Sequence, residues 1–208
     1  MCAYSWMKLL KSLGKTEADD EPIRFSWIAA SNGVNDALWC LCVLGKKHAG
    51  RVHALICDFA EHVLPIFEKI YPDDKRPRVA IETARRYAAG QATVEELWIA
   101  AAAACHAASD AYAAAAADNF SYPDAYAVYA AADAIAGAAY AIRAAYAAHA
   151  DHTERAAKAV YNVAARTAHA AHAVYDIYPR GARATPYVGT DDTAERQWQL
   201  ARLVDVFG

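Results

Sequence analysis

Five charged residues, Glu61, Glu68, Arg78, Glu82 and Arg85, stand at spacings that could support chemistry. Glu61 and Glu68 lie two turns apart on one helical stripe, and Arg78, Glu82 and Arg85 repeat at intervals of four and three on another. Carboxylates facing guanidiniums are a composition suited to acid/base work around a phosphate or a sugar. Their alternating sign and symmetric placement favour a different use. If the chain folds back about Asp73, Glu68 meets Arg78 and Glu61 meets Arg85, each pair able to form a bidentate contact in a structural ion network.

Other candidates are weaker. His169 and His172 stand three apart with Asp176 four beyond, a spacing compatible with one metal ion. No Glu-x-x-His motif of the carboxylate-bridged di-iron bundles accompanies them, and His169 continues a solvated stripe, so His172 reads as a core-edge histidine and no metal or cofactor is expected. His149 and His152 straddle a helix end, where the dipole favours cations. His106 and Asp110 read as a surface pair at i, i+4. Asp73-Asp74 is followed at once by Lys75-Arg76, which fits helix capping better than metal binding. No nucleophile elbow, phosphate loop or zinc-hydrolase motif occurs, and no catalytic residue is assigned.

The elements that must hold these groups are helices. Between Cys57 and Gly90, Pro72 should stop one helix and Pro77 should open the next, where its missing N–H costs nothing. The first of these begins near Arg51, its core face carrying Val52, Leu55, Ile56, Phe59, Val63, Ile66, Phe67 and Ile70, and Pro65 is expected to kink or restart it. Gly90 ends the second, and Thr93-Val94-Glu95-Glu96 forms a capping box opening a third, whose inward stripe is read as Val94, Trp98, Ala101, Cys105, Ala108 and Tyr112. Further on, Asp124 to His149 is apolar nearly all round and should be the most central helix. Asp151-His152-Thr153-Glu154 opens another, with Asn162 on its wet face. Upstream, Tyr4 to Leu13 ends at Gly14, and Asn35 is expected to cap a helix reaching Leu44. Residues 1–34 form a segment of uncertain structure. Residues 179–208 are expected to be a loop and a last helix carrying Trp198, Leu200, Leu203, Val204 and Phe207. No strand pattern is found. The expectation is one all-α domain over 1–208, an alanine-rich bundle of about seven or eight helices without a sheet.

Composition narrows the partners. Hydrophobic residues make up 57%, but many are alanine, which forms helices readily and lets them approach closely. The formal charge of −3 is unevenly spread: residues 91–178 hold 4 basic and 9 acidic residues. That imbalance disfavours nucleic acid and suits a basic partner. Five cysteines with no CxxC indicate neither a disulfide framework nor a zinc ribbon, and free thiols point to a reducing, cytoplasmic setting. Neither a signal peptide nor a membrane span is read.

The run Ala60-Glu61, Val63-Leu64-Pro65, Phe67-Glu68, Tyr71-Pro72-Asp73-Asp74, Arg76-Pro77-Arg78, Ala80-Ile81-Glu82, Ala84-Arg85 and Gly90 resembles the signature of the Imm5-like immunity protein family. The alanine-rich, histidine-dotted stretches at Cys105-His106-Ala107-Ala108 and 167–173 are similar to it as well, so the likeness covers about residues 57–178. It implies a non-enzymatic inhibitor that binds and neutralises a protein, with no catalytic residues attached. Two rivals stand beside this reading: a phage-encoded antagonist of a bacterial defence system such as CRISPR, and, from another class, a metal-dependent or small-molecule enzyme within the bundle. For the contact surface, Asp118, Phe120 and Tyr122 combine acidic and aromatic groups where two helices meet. The oligomeric state, monomer or homodimer, is left open.

Overall fold

Apolar residues recurring every three or four positions from Val52 to Phe67 require one long helix with one dry side. The computed structural model describes residues 3–44, 48–117 and 194–207, together with positions 131, 132, 135–137 and 162. Its elements are α1 (Ala3–Ser12), α2 (Phe25–Asn32), α3 (Val34–Trp39), a 3-10 turn (Cys40–Val43), α4 (Ala49–Ile70), α5 (Arg76–Ala88), α6 (Val94–Ala117) and α7 (Ala194–Phe207). The fold is all-α, and there is no strand among the described residues.

Helix α4 buries Val52, Leu55, Ile56, Phe59, Val63, Leu64 and Phe67. Each large side chain of this kind contributes about 1.5–3 kcal/mol on leaving water. The largest single loss here would be Phe59→Ala, since Phe59 is fully buried and such a truncation costs about 3–5 kcal/mol. Contrary to the expectation of a restart, α4 runs through Pro65. Pro65 and Glu61 are both exposed, so the Glu61 carbonyl that loses its N–H partner faces the wet side, where water can replace it.

Helix α4 ends at Ile70 before Pro72, and α5 opens with Pro77 in its first turn. The α5 C-terminus closes on Gly90, whose φ of 72° suits a residue without Cβ. The Gln91 N–H reaches back to the Arg86 carbonyl at 2.7 Å and the Gly90 N–H to that of Tyr87 at 3.0 Å, which satisfies carbonyls the helix would otherwise orphan. Three residues later the capping box is formed. The Thr93 N–H donates to Glu96 Oε2 at 2.7 Å, and the Glu96 N–H donates to Thr93 Oγ1 at 3.1 Å. Burial of Leu97, Ala100, Ala101, Ala104, Ala107, Ala108 and Ala111 then fixes which side of α6 meets the core.

Of the stripe expected for α6, Ala101 and Ala108 are buried and Cys105 packs against the core, but Val94, Trp98 and Tyr112 are exposed, which corrects those three. Glu95, Glu96, His106, Ser109 and Asp110 fall on one side of α6 and are exposed, and the buried alanines lie on the opposite side, where the smallest side chains allow close approach.

The N-terminal region holds a second correction. Asn35 is not a cap but lies in the first turn of α3, which begins after Gly33 at a φ of 92°. The helix ends at Trp39 and tightens into the 3-10 turn rather than continuing to Leu44. Residue 45, expected as the stop, lies outside the described residues.

The main core gathers Leu9, Phe25, Val34, Leu38, Phe59, Leu97, Ile135 and Leu203. A second cluster joins Val63 and Phe67 to Ala107, Ala111, Ala131 and Ala132. Positions 131, 132, 135 and 136, within the helix read as most central, are thus buried, and Asn162 is exposed. The rest of residues 118–193, with the capping signals and histidines placed there, lies outside the described residues.

Candidate functional site: the ion-paired hairpin

Antiparallel packing of α4 on α5 sets the acidic edge of one against the basic edge of the other. Arg78 Nε donates to Glu68 Oε1 at 2.7 Å and its Nη2 to Oε2 at 2.6 Å, a fork-to-fork pair. Two turns further along each helix, Arg85 Nη2 donates to Glu61 and, at 2.8 Å, to Asp58 Oδ1. Glu82 is exposed and acts on Arg78 through space. At the mouth of the hairpin, Arg76 Nη2 lies 2.7 Å from Asp74 Oδ2 and 2.8 Å from Asp110 Oδ2 on α6. Asp74 Oδ1 also accepts the Arg76 backbone N–H at 3.0 Å, holding the turn into α5. Asp110 therefore serves Arg76, not the His106 expected beside it.

These contacts set the charge states. The Arg78 guanidinium holds the Glu68 carboxyl below its ordinary range, and hydrogen bonding from Arg76 does the same for Asp74. Burial works against the Arg85 charge, but its bonds to Asp58 and Glu61 outweigh that and raise its pKa. Beside this network, burial pushes the Cys57 thiol up to about 12. Such a thiol carries almost no thiolate at neutral pH and is a poor nucleophile.

The last helix stands where the sequence places it, as α7, but Asp58 and the polar contacts of α7 are the parts that sequence reasoning missed. The Asp58 side chain, 12% exposed, accepts from Arg85 through Oδ1 and from Arg202 Nε through Oδ2, the latter at 2.7 Å. Asp58 stands three residues before Glu61, a spacing that places it on the same edge of the helix. Four residues on, His62 stacks on Trp198 with ring centroids 3.7 Å apart. Its Nε2 lies 3.0 Å from Glu195 Oε2. Gln199 Nε2 donates to Glu195 Oε1 at 2.8 Å, and Arg196 Nη1 donates to Gln199 Oε1 at 2.9 Å. The face that α7 buries is thus largely polar, with Glu195, Arg196 and Gln199 beside Leu203. The expected apolar stripe is only partly buried at Trp198, Leu200 and Phe207.

A shallow cleft of about 540 Å³ runs between α5 and α6, floored by Val79, Thr83, Ile99 and Ala103, with Asp73 and Arg76 among its walls. Among the described residues no group of three His, Cys, Asp or Glu side chains is placed to hold a metal ion, and no helix is long and apolar enough to cross a membrane. Asp118, Phe120 and Tyr122 lie outside the described residues, as do His149, His152, His169, His172 and Asp176.

A family model described as Imm-5 like putative immunity protein matches residues 46–160. The chain belongs to that family. The match takes in α4, α5 and α6 and every residue of the Glu61, Glu68, Arg78, Glu82 and Arg85 set. No curated protein and no solved structure matches the chain. Helix α7 lies beyond the C-terminal limit of the matched stretch and contributes Arg202 to the Asp58 carboxylate.

Proposed function

We propose that the protein is a non-enzymatic inhibitor that binds and neutralises a partner protein, a toxin of a polymorphic toxin system. The observation that carries this reading is that the charged residues of the matched stretch engage one another. Glu68 is held by Arg78, Glu61 and Asp58 by Arg85, and Asp74 and Asp110 by Arg76. Carboxylates whose lone pairs are filled by guanidiniums are poorly placed to take or give a proton to a substrate, and they serve instead to fix the hairpin. The family name supplies the direction, a protein that acts by binding. The excess of acid over base in residues 91–178 suits a basic partner, for which complementary charge speeds encounter. The test is co-expression with the toxin domain encoded beside its gene. The expected result is a 1:1 complex by calorimetry and restored growth of the host cell. Absence of both complex and protection with that toxin overturns the proposal.

A further inference from the structure

We propose that α7 is a proton-gated latch, closed on the hairpin when His62 is protonated and loosened when it is neutral. The proposal is independent of the identity of any partner. It starts from Glu195, a carboxylate whose side chain is only 3% exposed. Its Oε1 is satisfied by Gln199, whereas Oε2 is buried and accepts no directed hydrogen bond among the described residues. A buried carboxylate oxygen left in that condition is costly unless an opposite charge stands close by. The group that faces it is His62 Nε2, at 3.0 Å but off the line of a hydrogen bond. What His62 offers Glu195 is therefore charge rather than geometry, and a neutral ring does not supply it.

Trp198 favours the same state. Its ring lies parallel to the imidazole, 10° from coplanar at 3.7 Å, an arrangement in which an aromatic face attracts a cation. Two groups of α7, Glu195 and Trp198, thus both prefer a charged ring on α4. Other charged groups face this seam: Asp58 and Glu61 from α4, Arg85 from α5, and Arg196 and Arg202 from α7 itself. Arg85 and Arg202 are engaged by Asp58, and Arg196 donates to Gln199, so each has a partner of its own.

The apolar contribution to docking comes from Leu203, fully buried, and the partly buried Trp198, Leu200, Val206 and Phe207. A helix docked through polar contacts is among those that open locally at modest free energy. The sign follows directly. An ion pair and a cation stack both need a charged ring, so acid favours docking and base opposes it.

The experiment is amide hydrogen exchange of the full chain at pH 5.5 and 8.5, corrected for intrinsic rates, read over residues 194–207 and over α4 and α5. In the wild type, protection of α7 is expected to fall by about tenfold or more over that interval, while α4 and α5 change little. Glu195→Gln and His62→Gln, checked for helical content, are each expected to abolish the step. A flat profile for α7 in the wild type overturns the latch. So does a step of undiminished size in either folded variant, because another group would then be the sensor.

Discussion

Arg202 Nε donates to Asp58 Oδ2 at 2.7 Å across 144 residues of sequence, and Asp58 Oδ1 takes Arg85 from the opposite side. One carboxylate on α4 thereby ties α5 and α7 to the same point. Asp58→Ala removes both bonds and leaves Arg85 with Glu61 alone and Arg202 with Asp205 at 3.5 Å. Bonds to charged groups are each worth about 1.5–3 kcal/mol when shielded. Both arginines remain more than a third exposed, at 38% and 39%, so the loss for the double contact should lie near the low end, about 1.5 kcal/mol. Arg202→Ala leaves Asp58 paired with Arg85 and should cost about 1 kcal/mol or less. Urea unfolding of the two variants checks the order. Equal midpoints for Asp58→Ala and wild type would remove Asp58 from the centre of the network.

Acid should weaken the hairpin, and the direction is fixed by two carboxyls. Arg78 lowers the folded pKa of Glu68 below its ordinary 4.5, and Arg76 lowers that of Asp74 below 3.8. A carboxyl depressed in the folded state stabilises it at all pH values above its unfolded pKa. That contribution is lost as pH falls through the folded pKa. The part of the melting temperature owed to these two carboxyls should accordingly stay level from neutral pH down to about 5 and drop below about 4. Arg78→Gln should shrink the acid step, because Glu68 then titrates as an ordinary glutamate. Melts at half-unit intervals that give the variant and the wild type the same step would rule out Glu68 as a contributor.

Much of the hairpin was legible in the sequence because its signals are local. Pro72, Pro77, Gly90 and the Thr93–Glu96 box each act within one turn of the chain, and alternating charges on two facing helices leave little choice of pairing. The partners of α7 were not legible. Neither Asp58 nor His62 carries any local mark that a helix beginning at Ala194 will land on them, and Glu195, Arg196 and Gln199 look like surface residues by type. The α6 stripe failed for another reason. Alanine is both apolar and small, so hydrophobicity alone cannot say whether it or the aromatic residue one turn away turns inward.

Burial of Cys57 yields a chemical prediction. With its pKa raised to about 12 and its side chain in the core, this thiol should be inert at pH 8. Mass mapping after brief treatment with an alkylating reagent should find residue 57 unmodified in the folded chain and modified in urea. Rapid labelling of Cys57 in folded protein would mean that the edge of α4 beside the Asp58 network opens readily.

The orientation of α6 gives the most direct test of how an alanine-rich helix finds its place. Ala101 and Ala104 are fully buried, whereas Ile99 is 71% exposed on the outer side. If close approach of α6 to its neighbours sets the rotation, added volume on the alanine side must push the helices apart. Ala104→Leu should then cost about 1–3 kcal/mol through overpacking. Loss of an exposed apolar side chain removes almost no packing, so Ile99→Ser should stay within about 0.5 kcal/mol of the wild type. The rotation expected from the sequence places Trp98 and Tyr112 inward together with Ala101, Cys105 and Ala108, and Trp98→Ala would then be the damaging change. Unfolding curves for Ala104→Leu, Ile99→Ser and Trp98→Ala separate the two rotations. The observed one requires Ala104→Leu to be the least stable of the three.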